Sequence, residues 1–315
     1  MKVEPVASLR GAMAVPGVKG ISQRAVLLAA LADGESVIRG FGRAADTESA
    51  ITVARAIGAE VIEDDHETVR VRGVGLRGAQ QPSAPIDCGN AGTVMRLTCG
   101  LLVGQRGSFE LVGDESLTMR PHERVAAPLR MMGARIETTD GHAPIRVEGA
   151  ELRPISYELP VASAQVKSAI LFAGLMADSG PTKVTEQYPT RDHTERMLES
   201  LGVCVQRTKN SASVWPVESL PPLDVDIPGE FSSAAPFIVA AVLLSGSELT
   251  IQGVNVNPLR AGLLDVLERM GARIGVYNRR QVGGEAVADL EIRSTPLVAT
   301  KVKREEVPRL VDELP

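Results

Sequence analysis

The residues best equipped for chemistry gather at five places, each at the start of a stretch where a helix is expected. They are Lys19-Gly20-Ile21-Ser22-Gln23-Arg24, Asn90-Ala91-Gly92-Thr93-Val94-Met95-Arg96, Ser163-Ala164-Gln165-Val166-Lys167, Ser232-Ser233 and Asp312-Glu313. A helix N-terminus leaves backbone N–H groups unpaired and carries partial positive charge, so it takes up anions. Lysine and arginine there add to the attraction, and a glycine such as Gly92 lets a ligand come close to the backbone. Several such ends converging from two domains would form an anion-binding cleft, whose natural ligand is a small molecule carrying phosphate and carboxylate. Each cluster also has a plainer reading. Ser22, Ser163 and Ser232 are of the type that caps helices, and Asn90 and Gly92 suit a turn. Arg96 fits a buried ion pair, and Lys19 and Arg24, taken singly, fit a solvated surface. Asp312 and Glu313 suit any helix start. His193, between Asp192 and Glu195, reads as a surface residue rather than a base.

What positions these clusters is a repeat. Small-residue helices are expected over 22–31, 93–103, 166–176 and 233–244, each followed by a strand at 36–38, 108–112, 182–185 or 248–251. An amphipathic helix comes next and closes on Gly58, Gly133, Gly202 or Gly271, spaced by 75, 69 and 69 residues, with another strand after it. Pro121 is placed to open the second of these helices, and each closing glycine suits the left-handed position that ends a helix. A period near seventy is too long for a solenoid and suits an α/β unit that cannot bury its apolar faces alone. The fold class expected is therefore α/β, built from repeated helix–strand units, three to a domain. One domain is expected over residues 14–222. A second, discontinuous and incomplete, is expected over 1–13 plus 223–315, with the opening segment 3–15 free to pair there.

Composition narrows the function. The 315 residues are 44% hydrophobic, 23% charged and only 3% aromatic, with a net charge of −5. That charge argues against a nucleic-acid or membrane-surface partner, so an anionic ligand needs a local gathering of cations. No apolar run reaches the ~18 residues of a membrane helix, and the N-terminal segment lacks a signal peptide's apolar core. Three cysteines and four histidines, scattered, suggest reduced thiols in a cytoplasmic protein and no metal site.

At these clusters the chain resembles the 5-enolpyruvylshikimate-3-phosphate synthases, a branch of the enolpyruvyl transferase family. The segments that carry the resemblance are 16–24, 87–97 (DCGNAGTVMRL), 113–121 (GDESLTMRP), 163–168 (SAQVKS), 191–198 (RDHTERML) and 311–315 (VDELP). The resemblance implies two domains of three units joined by two crossovers. It implies a shikimate-pathway transferase of aromatic amino acid and chorismate biosynthesis, in a family that is the target of glyphosate. The enolpyruvyl group of phosphoenolpyruvate would pass to the 5-hydroxyl of shikimate 3-phosphate, without a cofactor, in a monomer. Lys19 would touch both substrates, with Gly20 beside the acceptor, and Arg24 would hold the shikimate carboxylate. Ser163 and the Ala164 backbone would bind the 3-phosphate, Gly92 and Arg120 would bind phosphoenolpyruvate, Gln165 would lie between the substrates, and Asp312 would act as base. The chain departs from the family pattern at Val18, Gly20, Gln23 and Thr118. The family's later motifs find no counterpart, so a C-terminally truncated chain, inactive alone, is expected. Two other readings are a transferase with a different acceptor and a non-catalytic piece that pairs with a complementing chain.

Overall fold

The computed structural model describes residues 5–314; Met1–Glu4, at the start of the expected second domain, and Pro315, the last residue of the VDELP segment, lie outside them. The elements recur in four similar runs. The first holds β1 (Arg10–Ala14), α1 (Lys19–Ala30), β2 (Glu35–Arg39), α2 (Ala45–Ala56), β3 (Glu60–Glu63) and β4 (Val69–Arg72). The second holds β5 (Ile86–Asp87), α3 (Gly92–Leu102), β6 (Ser108–Val112), a single turn α4 (Glu115–Thr118), α5 (Glu123–Met131), β7 (Arg135–Thr139) and β8 (His142–Glu148). The third holds β9 (Ser156–Glu158), α6 (Ala164–Gly174), β10 (Thr182–Thr185), α7 (His193–Ser200), β11 (Val205–Arg207) and β12 (Ser211–Val214). The fourth holds β13 (Asp224–Asp226), α8 (Phe231–Leu243), β14 (Glu248–Asn255), α9 (Gly262–Arg269), β15 (Arg273–Val282) and β16 (Glu285–Arg293). The α5 helix opens at Glu123 rather than Pro121, because the N–H groups of His122 and Glu123 both donate to Gly141 O.

The described strands form sheets of four, in the orders β13-β2-β4-β3, β5-β6-β8-β7, β9-β10-β12-β11 and β1-β14-β16-β15. In each, the first strand runs parallel to the second and the remaining pairs are antiparallel. The first and last sheets exchange their parallel edge strand: β1, just before α1, pairs with β14, and β13, just before α8, pairs with β2. The chain divides accordingly into two compact units, Lys19–Asp226 and Met1–Val18 with Ile227–Pro315.

In the larger unit, α1, α3 and α6 are buried almost all round, and beyond their polar first turns they are largely apolar on every face instead of along one stripe. The small residues between them set how close they come. A methyl group on Gly100 of α3 would stand 2.2 Å from Ala169 O and 2.7 Å from Ala169 Cα of α6, so the two backbones touch there and only glycine fits. Helices α2, α5, α7 and α9 end alike. Gly58, Gly133, Gly202 and Gly271 take positive φ, and the next residue's N–H reaches back to Ala54 O, Leu129 O, Leu198 O and Leu267 O. These are the expected left-handed helix ends, repeated four times.

The smaller unit has its own core. Phe231, Ile238 and Val242 of α8 pack against Leu249, Ile251 and Val254 of β14, Leu290 and Ile292 of β16, and Leu267 of α9. Its β15–β16 hairpin turns on Gly283-Gly284, both at positive φ.

Candidate functional site

Three of the polar clusters lie where α1, α3 and α6 begin. Lys19 and Gln23 of α1 both lean on the start of α2: Lys19 Nζ lies 2.7 Å from Asp46 Oδ2, and Gln23 Nε2 donates to Asp46 O. Arg24 lies one turn in and is buried, not solvated as a lone arginine would be. Its guanidinium donates to Thr194 Oγ1 at 2.7 Å, Gly20 O at 2.8 Å and Ser168 Oγ at 3.0 Å. Thr194 starts α7 and Ser168 follows the start of α6, so Arg24 ties three helix starts together. The RDHTERML segment offered Thr194 as a motif letter but gave no sign of this contact. A β-carbon on Gly20 would meet Arg24 Nη1 at an ordinary 3.5 Å, so space does not demand glycine there.

The first turns of α3 and α6 form a second group. Gln165 Oε1 accepts from Arg96 Nη1 at 2.5 Å, and its Nε2 donates to Thr93 Oγ1 at 2.8 Å. Arg120, just after α4, donates to Asn90 Oδ1 and to Ser116 Oγ, while Asn90 Nδ2 donates to Asp114 Oδ2. A methyl group on Gly92 would lie 3.1 Å from Arg120 Nη1 and 3.2 Å from Arg96 Nη1, so both guanidiniums crowd the first residue of α3. Ser163 caps α6, accepting from Val166 N–H, but Ser22 and Ser232 lie inside their helices and cap nothing.

The electrostatics of this group are one-sided. Arg96 is 4% exposed and makes no ion pair with a carboxylate among the described residues, so the ion pair expected for it is replaced by an amide. Burial, then repulsion from Arg124 and Arg120, lowers its pKa to about 10, which leaves it charged at neutral pH. His122 nearby is held neutral, its pKa pushed down to about 4 chiefly by burial. An anion is what this excess of positive charge lacks.

Behind α6 sits a charged cluster that the residue pattern did not announce. Lys167 Nζ lies 2.6 Å from Glu186 Oε1 and 2.8 Å from Glu195 Oε1, with all three side chains at most 5% exposed. Burial pushes the Glu195 carboxyl up against the pull of Lys167. Burial pulls the Lys167 ammonium down, but the two glutamates together outweigh it and raise it. His193, expected on the surface, is buried at the same helix start. The buried Cys88 and Cys99 have thiols raised by burial, the latter to about 12, and are not nucleophiles.

In the smaller unit, Asp312 and Glu313 meet Arg260, which precedes α9. Its Nη1 lies 3.2 Å from Asp312 Oδ2 and 3.0 Å from Glu313 Oε1, and Nη2 lies 3.3 Å from Glu230 Oε1. Ser232 Oγ bridges Arg260 and Glu313. Asp312 remains 45% exposed in its side chain, whereas Glu313 is buried. Arg260 lay outside the clusters because its neighbours in sequence carry no charge.

Among the described residues no helix is long and apolar enough to cross a membrane. Comparison with known proteins gives one consistent answer. The family model for EPSP synthase (3-phosphoshikimate 1-carboxyvinyltransferase) matches residues 3–315. A 3-phosphoshikimate 1-carboxyvinyltransferase of Acidithiobacillus ferrooxidans is 47% identical over 99% of this chain and 72% of its own length. One of Gloeobacter violaceus is 50% identical over 99% of this chain and 73% of its own. The solved EPSP synthase of Acinetobacter baumannii superposes with a TM-score of 0.92 at 40% identity, covering 97% of this chain and 70% of that one. The expectations of truncation and of inactivity are not borne out by a match that runs over residues 3–315. With that match, and with the quoted segments at the starts of α1, α3 and α6, the chain belongs to the EPSP synthase family.

Proposed function

We propose that the chain transfers the enolpyruvyl group of phosphoenolpyruvate to the 5-hydroxyl of shikimate 3-phosphate. The acceptor oxygen bonds to C2 of phosphoenolpyruvate while a proton adds to the methylene carbon. The tetrahedral adduct then loses phosphate and a methyl proton, leaving an enol ether. The observation that carries this reading is the group of Gly92, Arg96, Arg120 and Gln165 at two helix starts, cationic and short of carboxylates, in a chain of this family. Two anionic substrates repel each other, and fixed cations offset that repulsion before reaction begins.

In this reading Gly92 and Arg120 bind phosphoenolpyruvate, and Gln165 lies between the substrates. Ser163 and the Ala164 backbone bind the 3-phosphate. Lys19 contacts both substrates, with Gly20 beside the acceptor, Arg24 binds the shikimate carboxylate, and Asp312 takes the proton of the 5-hydroxyl. The domains in this reading are those expected over 14–222 and over 1–13 plus 223–315, and the compact units Lys19–Asp226 and Met1–Val18 with Ile227–Pro315 support a division of this kind. The protein works as a monomer in the cytoplasm, a compartment in keeping with its free cysteines.

The test is direct: the purified chain is incubated with both substrates, and phosphate release and the vinyl proton signals of the product are followed. Both should appear together. Calorimetry with shikimate 3-phosphate, with and without a phosphoenolpyruvate analogue, should show mutual strengthening; no binding of that acceptor would transfer the reading to a different one.

Two substitutions probe the substrate contacts separately. In Gly92→Ala the new methyl displaces two guanidinium ends by a few tenths of an ångström. The KM for phosphoenolpyruvate should rise about 10-fold with that for shikimate 3-phosphate unchanged. Gly20→Ser has room for its side chain and supplies a hydroxyl beside the acceptor carboxylate. It should lower the KM for shikimate 3-phosphate by up to about 10-fold, the worth of one hydrogen bond to a charged group. Steady-state kinetics with one substrate saturating reads both.

A further inference from the structure

Arg96 is a buried cation whose one side-chain partner among the described residues, Gln165, is neutral. Its Nη1 donates to Gln165 Oε1 at 2.5 Å and its Nη2 to Pro121 O at 3.3 Å, while its buried Nε has no partner. A lone buried guanidinium is costly, and a fold that kept it only for packing would do better with an apolar side chain of similar size. What it does settle is the orientation of an amide. The two ends of a glutamine amide are nearly the same size, and only their partners decide which way it points. At Gln165, Thr93 Oγ1 can accept from nitrogen or donate to oxygen, so it does not choose. Arg96 does choose: a flipped amide would bring its NH₂ against a guanidinium that can only donate.

We propose that Arg96 is a positioning residue that locks Gln165 with its oxygen turned inward and its amide nitrogen left to donate to a bound anion. This rests on the reading of Gln165 as a substrate contact. One N–H of that nitrogen is spent on Thr93, and the other remains for the ligand. Without Arg96 the amide turns over for part of the time and offers the substrate an oxygen, which an anion repels. Arg96 stays charged at neutral pH despite its burial, so the lock holds throughout the working range.

The experiment is a double-mutant cycle with Arg96→Met and Gln165→Ala, together with Arg96→Lys, read as KM and kcat for each substrate and as melting temperature. Gln165→Ala should lower kcat/KM for phosphoenolpyruvate by about 10- to 100-fold, the worth of a hydrogen bond to a charged group. Arg96→Met should lose a similar factor, and the double variant should lose no more than the worse single one, because two residues acting through one contact are not additive. Because Gln165 lies between the substrates, the KM values for both should move in the same ratio in Arg96→Met as in Gln165→Ala, with the melting temperature of Gln165→Ala unchanged, a match that general loss of structure would not produce. Arg96→Lys, with a charge but no fork to hold both Gln165 and Pro121, should fall between Arg96→Met and the parent. It carries the test if Arg96→Met fails to fold. A damaging Gln165→Ala beside a silent or fully multiplicative Arg96→Met overturns the proposal alone; a silent Gln165→Ala removes the substrate contact and the proposal with it.

Discussion

Lys167→Met should destabilise the protein by about 3–5 kcal/mol at pH 8, the cost of leaving buried carboxylates without their cation. The loss should shrink as the solution is acidified. Glu195 already has its carboxyl raised above the ordinary 4.5 by burial, with Lys167 as the main counterweight. A carboxyl whose folded-state pKa lies above its unfolded value adds stability below the unfolded pKa, and that contribution is lost as pH rises through the folded one. Removing Lys167 raises the folded value further, so the variant loses more stability with rising pH than the parent does. Lys167 is itself raised and stays protonated across the range, so its own titration contributes nothing there. Urea denaturation of parent and variant at pH 5 and pH 8 reads the difference. An equal loss at both pH values would show that the deficit is packing alone.

Asp312→Asn should lower kcat by about 10²- to 10⁴-fold, the usual worth of a positioned general base. The change is nearly isosteric, and the amide oxygen can still accept from Arg260, so the segment around residue 312 should keep its place. Because the side chain is about half exposed, the melting temperature should move little. Shikimate 3-phosphate should still bind, since the loss falls on proton transfer and not on holding the acceptor. A variant within tenfold of the parent would exclude Asp312 as the base.

Much of the fold follows from local rules. The four closing glycines each take the left-handed conformation, and strands β6 and β10 fall on the expected residues 108–112 and 182–185. The helix starts were legible too, because small apolar runs preceded by polar residues leave few other options. Less legible was the fate of single charged residues. Arg24 and His193 look like surface in sequence and are buried, because the partners of Arg24, Thr194 and Ser168, lie 170 and 144 residues away. Arg96 fits an ion pair by composition, and the fold answers it with an amide instead. In sequence Lys167 is only the end of a cluster at a helix start; that Glu186, just after β10, and Glu195 of α7 close around it depends on how both pack against α6. Burial of a charge is a tertiary property, and residue periodicity carries no trace of which distant group will meet it.

The exchange of edge strands between the first and last sheets has a consequence for how the protein is made. Strand β2 receives its parallel neighbour β13 only when the chain near Leu223 exists, 187 residues after Ser36, to whose hydroxyl Leu223 N–H donates. At roughly 5–20 residues per second, a ribosome takes on the order of 10–40 s to cover that distance. Through that interval the nascent first sheet carries an open edge, the surface most prone to pair with a stranger. Strand β1 waits longer still, since Leu9 bonds to Ser247 across 238 residues. Neither unit can close as its N-terminal half emerges. Shielding of these two edges during synthesis is therefore demanded by the topology itself.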